Sequence, residues 1–187
     1  MRIISGSFRG KKILQPRDKF TRPLKDLTKE SIFNIIKHSN KFNVDIEKSN
    51  ILDLFSGVGS FGLECLSRGA PFLTFVENYK EVLNILKKNI FSLNYQNIAT
   101  IVESDVFDAL CLRRLTTKYD IIFMDPPYKE QRMSELLLEI KQLNLLNDEG
   151  IIIIHRHKSE ENNFSTKFNI IVEKNYGISK IIFGNWS

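Results

Sequence analysis

Asp125-Pro126-Pro127-Tyr128 closes the apolar run Asp120–Met124, and its physics suits the holding of a planar amine. Two consecutive prolines fix φ and remove two backbone donors, which leaves a stiff, acceptor-rich corner. A planar amine needs such acceptors to hold its hydrogens and aim its nitrogen lone pair at an electrophile. Asp125 offers a carboxylate and the Pro126 carbonyl a second acceptor. Pro127 stiffens the turn, and Tyr128 presents a flat face on which a base would gain ~1–3 kcal/mol by stacking. That base would have to be unpaired or flipped out. The plainer alternative is a rigid loop after a buried strand, with Tyr128 as an edge-packing aromatic.

A second group lies upstream. Gly57, Gly59 and Gly62 form G-x-G-x-x-G within Asp53-Leu54-Phe55-Ser56-Gly57-Val58-Gly59-Ser60-Phe61-Gly62. Glycines between a strand and a helix permit a tight turn and close approach of a ligand to the backbone. Glu77 follows Gly57 by 20 residues, a spacing at which an acid accepts from ribose hydroxyls. Asn78 adjoins it. Dinucleotide enzymes and methyltransferases share that spacing, but Asp53 separates them. A carboxylate just before the loop repels a pyrophosphate and attracts the ammonium group of a methionine moiety. Its alternative role is to cap the turn or helix. Asp105 is placed to accept from an adenine amino group, with Val106 and Phe107 against the ring. It is equally natural as an N-cap of a following helix.

These groups need elements to carry them. Ile51–Phe55, Phe72–Val76, Ala99–Val102, Asp120–Met124 and Gly150–Ile154 read as strands. Helices are expected up to about Arg68, over Lys80–Leu93, Asp105–Leu115 and Ser134–Leu143. Phe168–Glu173 and Ile178–Phe183 read as a closing hairpin around Asn175-Tyr176-Gly177. Alternating strands and helices predict an α/β fold, a parallel sheet with helices on both faces. Such sheets bind ligands beyond the carboxyl ends of their strands. Before this body, residues 2–15 are expected to form a short hairpin. Asp26 is expected to cap a helix from Leu27 to His38.

Net charge is +5 over 187 residues, but residues 1–30 alone carry nine Lys/Arg against three acids. A near-neutral body with a basic arm is the electrostatic footprint of a polyanion binder, although solvated termini are often basic as well. The chain reads as a basic extension, 1–40, and a catalytic domain, 41–187. No run approaches the roughly 20 apolar residues of a membrane span, and the opening residues lack the pattern of a secretory signal. A cytoplasmic location is therefore expected. Neither Cys65 nor Cys111 has metal-ligand spacing. His155 and His157 share one side of a strand without a third ligand, so no metal is expected; they read as rim residues, with His155 near the pocket.

Taken together, these residues resemble class I Rossmann-like methyltransferases with an (Asp/Asn)-Pro-Pro-(Tyr/Phe) motif. More narrowly, the chain is similar to the RsmD family, bacterial 16S ribosomal RNA guanine-N2 methyltransferases. The likeness is carried by Met1 to Gly6 with Phe8-Arg9-Gly10, by Arg22-Pro23, and by Asp26, Glu30 and Phe33-Asn34. It continues through Leu52 to Phe55, Gly62-Leu63-Glu64, Ser67 to Ala70, Phe75-Val76-Glu77, the Asp125 corner and Tyr176-Gly177. The chain departs from the family pattern at Leu24, Leu27, Lys29 and the Ser56-Gly57-Val58-Gly59 turn.

The resemblance implies a seven-stranded, mostly parallel sheet with an antiparallel last strand and a small N-terminal extension. It implies S-adenosylmethionine held by Asp53, Phe55, Ser56, Gly57, Gly59, Gly62, Glu77, Asn78, Asp105 and Val106. Guanine would be held by Asp125 to Tyr128. Ribosomal RNA or the small subunit would be touched by Arg9, Lys11, Lys12 and Arg22. A monomer is expected. Competing readings are a DNA adenine-N6 or protein glutamine methyltransferase, a dinucleotide-dependent oxidoreductase, and a non-catalytic RNA-binding assembly factor.

Overall fold

The computed structural model describes residues 1–16, 24–127, 130–162, 164 and 167–186. Seven strands form one sheet: β1 (Asn50–Leu54), β2 (Phe72–Glu77), β3 (Ala99–Glu103), β4 (Tyr119–Met124), β5 (Leu146–His157), β6 (Asn169–Tyr176) and β7 (Ser179–Asn185). Their order is β3-β2-β1-β4-β5-β7-β6. The first five strands are parallel, and β7 runs antiparallel between β5 and β6. The direction of winding reverses between β1 and β4, so the ligand crevice belongs above their carboxyl ends. Four α-helices accompany the sheet among the described residues: α1 (Asp26–His38), α2 (Ser60–Ser67), α3 (Lys80–Ser92) and α4 (Met133–Gln142).

The strands alternate faces with the period of two that a pleated backbone imposes. Ile51, Ile121, Phe123, Ile151 and Ile153 join the core beneath α1, α2 and α3. Leu52, Leu54, Ile122, Met124, Ile152 and Ile154 join the core beneath α4. Both faces are covered, which is why these strands read as continuous apolar runs. No helix among the described residues is long and apolar enough to cross a membrane.

Three expectations need correction. Residues 105–115 do not form an α-helix. Asp105 and Asp108 each accept the backbone amide two residues on, at 2.9 Å, and such local turns compete with helix. Only Leu112–Arg114 makes a 3₁₀ turn. Asp26 is the first helical residue of α1 and does not cap it; the cap position is Lys25. β5 is far longer than Gly150–Ile154, reaching His157 because β7 pairs with it from Ile152 to the end.

The N-terminal hairpin exists as a single bridge, Arg2 to Lys12, and packs into the main core through Ile3 and Ile13. Its attachment is polar and specific. Glu64, fully buried on α2, accepts the Ile4 amide at 2.7 Å and the Ser5 amide at 2.9 Å. Lys29, equally buried, donates to the Arg2 carbonyl at 2.7 Å and lies 3.6 Å from Glu64. Burial pushes the Lys29 pKa down, against the pull of Glu64 and Asp26. Arg68 completes the cluster at 2.8 Å from Glu64. Gly6 lies so close to α2 that a β-carbon would fall 1.7 Å from the Ser67 carbonyl oxygen.

Candidate active site

β1 ends in a sharp turn that builds the floor of the site. Phe55 adopts φ 59°, a left-handed conformation that strains a non-glycine residue by ~1–3 kcal/mol. The turn is held by Ser56, whose amide and hydroxyl both donate to the Val76 carbonyl, at 3.1 and 3.0 Å. Gly57 and Gly59 follow with φ 55° and 86°, and α2 begins at Ser60.

The three glycines do different work. Gly57 lines the cavity. Gly59 and Gly62 face protein. A β-carbon on Gly62 would lie 2.4 Å from the Phe75 ring and 3.0 Å from Asp53 Oδ2. The third glycine thus sets how closely α2 packs on the sheet.

Three acids surround this floor, at the carboxyl ends of β1, β2 and β3. Asp53 is buried, and its Oδ2 accepts the Gly62 amide at 3.0 Å. Burial pushes its carboxyl well above the usual carboxylate range, aided by the charges of Asp125 and Glu77. Glu77 accepts the Gly57 amide on Oε2 at 2.7 Å, and the Asn78 and Tyr79 amides on Oε1 at 2.9 Å. One acceptor position on Oε2 remains beyond these bonds. Asp105 is exposed at the rim, beside buried Val106.

The Asp125 corner stands at the end of β4, in the same cavity. His155 on β5 places Nδ1 2.8 Å from Asp125 Oδ1. Arg156 donates to the Glu130 carbonyl at 3.0 Å and ion-pairs with Glu160. Glu130 in turn binds Arg132 through two bonds of 3.0 Å. The Arg132 guanidinium lies 3.6 Å from the centre of the Phe107 ring. The loops after β3 and β4 therefore meet above the ends of β1 and β2.

A cavity of about 580 Å³ joins these groups, within the range of small-molecule sites. Asp53, Phe55, Ser56, Gly57, Glu77, Asn78, Asp105, Val106, Asp125, Pro126 and Pro127 all line it; Gly59 and Gly62 do not. Tyr128 and Arg22 lie outside the described residues. Arg9, Lys11 and Lys12 are exposed and do not line the cavity. Lys11 donates to the carbonyl of Ser92, at the end of α3 away from the cavity, and the 13 residues of α3 span ~20 Å.

The sequence reading missed Arg132 and Arg156, whose partners are set by tertiary contacts. It also missed Met1, Pro16 and Leu24, which line the cavity because Glu64 and Lys29 draw the extension inward.

Comparison with known proteins agrees with this architecture. Residues 1–185 match the family described as Conserved hypothetical protein 95. Bacillus subtilis YlbH is 35% identical over 162 residues, covering 86% of this chain and 85% of that one. Ribosomal RNA small subunit methyltransferase D of Haemophilus influenzae is 31% identical over 179 residues, 95% and 90% of the two chains. The solved structure of Escherichia coli yhhF superposes with a TM-score of 0.82 at 28% identity, over 100% of this chain and 98% of that one. With its seven-stranded sheet, its glycine turn and its Asp125 corner, the chain belongs to the RsmD family and has the class I methyltransferase fold.

Proposed function

We propose that this protein transfers a methyl group from S-adenosylmethionine to the exocyclic N2 amine of a guanine in small-subunit ribosomal RNA. The observation that carries the reading is the shared cavity: the Asp125-Pro126 acceptors open into the same space as Asp53, Glu77 and Asp105. The name of the Haemophilus influenzae relative supports the RNA class. Residues 1–40 would then serve as the RNA-docking part and 41–187 as the catalytic part. Arg9, Lys11 and Lys12 would meet phosphates, Lys11 well away from the reacting base.

The donor set fits the cofactor. Asp53 would take the methionine ammonium, the free acceptor position of Glu77 a ribose hydroxyl, and Asp105 the adenine amine, with Val106 and Phe107 along the ring. When bound, the cofactor supplies an electrophilic methyl group on a sulfonium. The chain's own contribution is orientation. Guanine N2 is a weak nucleophile because its lone pair is delocalised. As the nitrogen gains carbon it becomes positively charged, and hydrogen bonds to Asp125 and the Pro126 carbonyl strengthen in the transition state.

Cofactor affinity should report the state of Asp53. Burial holds its proton to unusually high pH, whereas a bound cation favours the ionised form. Affinity is therefore expected to rise as pH climbs through the folded-state value and to level off above it. Asp53→Asn should bind about 10- to 100-fold more weakly and lose that rise. Calorimetric titration across pH measures both; an unchanged profile in the variant would dissociate Asp53 from the ammonium.

The reading as a whole is tested by offering labelled S-adenosylmethionine with unmodified small subunits, naked ribosomal RNA and duplex DNA. Label is expected on N2-methylguanine in RNA. Label on DNA alone, or on another RNA atom, would overturn the assignment.

A further inference from the structure

Among the cavity-lining side chains to which the proposed reaction assigns no part, His155 stands directly against Asp125. His155 is 14% exposed and its Nδ1 lies 2.8 Å from Asp125 Oδ1, across 30 residues of sequence. Its Nε2 is buried, with no hydrogen-bond partner among the described residues. An ionised carboxylate only accepts, so Nδ1 must carry the hydrogen of this bond. In the neutral ring, Nε2 is then a bare lone pair. The ring is thereby specified as a donor aimed at a single oxygen.

We propose that His155 is a positioning residue for Asp125, an inference that rests on the amine-holding role of that carboxylate. By occupying Oδ1 it fixes the side-chain torsion and leaves Oδ2 as the acceptor for the incoming amine. One amine hydrogen goes to Oδ2 and the other to the Pro126 carbonyl. Without the imidazole, the carboxylate turns freely between orientations, only some of which point the nitrogen lone pair correctly.

The backbone is braced from the adjoining position. Arg156 holds the Glu130 carbonyl at 3.0 Å, beyond the prolines. Successive residues of a strand point to opposite faces. β5 therefore contacts both the Asp125 carboxylate and the loop backbone that follows the prolines.

The test compares wild type with His155→Ala, His155→Asn and Asp125→Ala in methyl transfer, with thermal melting of each. A small displacement of a reacting group costs up to ~10²-fold, so His155→Ala is expected to lose roughly 10- to 100-fold in kcat. Its cofactor Kd and RNA KM should stay within about twofold, a change under ~0.5 kcal/mol. His155→Asn keeps a donor near the Nδ1 position and should recover most of the loss; a purely structural role would give no such rescue. Wild-type kcat in His155→Ala beside an inactive Asp125→Ala would overturn the proposal alone. An active Asp125→Ala would overturn the amine site as well. A nitrogen-15 spectrum of the unliganded protein in alkaline buffer gives an independent readout. A hydrogen on Nδ1 and none on Nε2 is expected, and the opposite tautomer would refute the bond as drawn.

Discussion

Asp125→Ala is expected to lower methyl transfer by about 10²–10³-fold, the scale of losing one preorganised partner of a charge that develops in the transition state. Cofactor affinity should hardly change. The carboxylate stands over the end of β4, on the amine side of the cavity, and makes no bond to the glycine turn. Removing its charge slightly relieves the unfavourable field at Asp53, so any change in affinity should be a small gain. Asp125→Asn should fall between the two, because it keeps one acceptor but sets an amide NH₂ where a carboxylate oxygen stood. Initial rates on unmodified small subunits, beside equilibrium titration of the cofactor, separate these effects. Full turnover by Asp125→Ala would remove the residue from the chemistry.

A second large effect is expected far from the cavity. Glu64→Gln should destabilise the fold by ~3–5 kcal/mol, the cost of breaking one side of a buried ion pair. For a chain of this size that lowers Tm by about 6–20 °C. The carboxylate accepts two backbone amides with two different oxygens, and a glutamine has one oxygen. Either the Ile4 or the Ser5 amide would then face an NH₂ group. Lys29, with no exposure at all, would keep the Arg2 carbonyl but, as its acidic partner among the described residues, only Asp26, 3.9 Å away and 42% exposed. Adding Lys29→Met should recover part of the loss, since the unpaired ammonium is gone. Urea unfolding provides the measurement; a loss below ~1 kcal/mol, the value of a surface pair, would show that the cluster is solvated.

β1, β4 and β5 were readable because burial on both faces makes them apolar runs, and the bounds came within a residue or two for β1 to β4. The acids at the strand ends were readable from their place after those runs. Asp105–Leu115 misled because its apolar spacing resembles a helix, whereas Asp105 and Asp108 each capture a nearby amide. Partnerships across the chain were not legible. Nothing near Lys29 announces Glu64, and His155 could be placed near the pocket but not on Asp125. Such contacts are fixed by how strands register and helices pack, which one-dimensional periodicity does not encode.

The way the N-terminal segment is fastened also bears on how the molecule is made. Leu14 shares two hydrogen bonds with Asn89, 75 residues later, and Ser7 donates to the carbonyl of Ser67. At ordinary rates of translation, ~5–20 residues per second, Asn89 is synthesised roughly 4–15 s after Leu14. Throughout that interval the Leu14 backbone lacks the side chain that satisfies it. The segment that carries Met1 into the cavity wall is thus fastened in full only once α3 has been made.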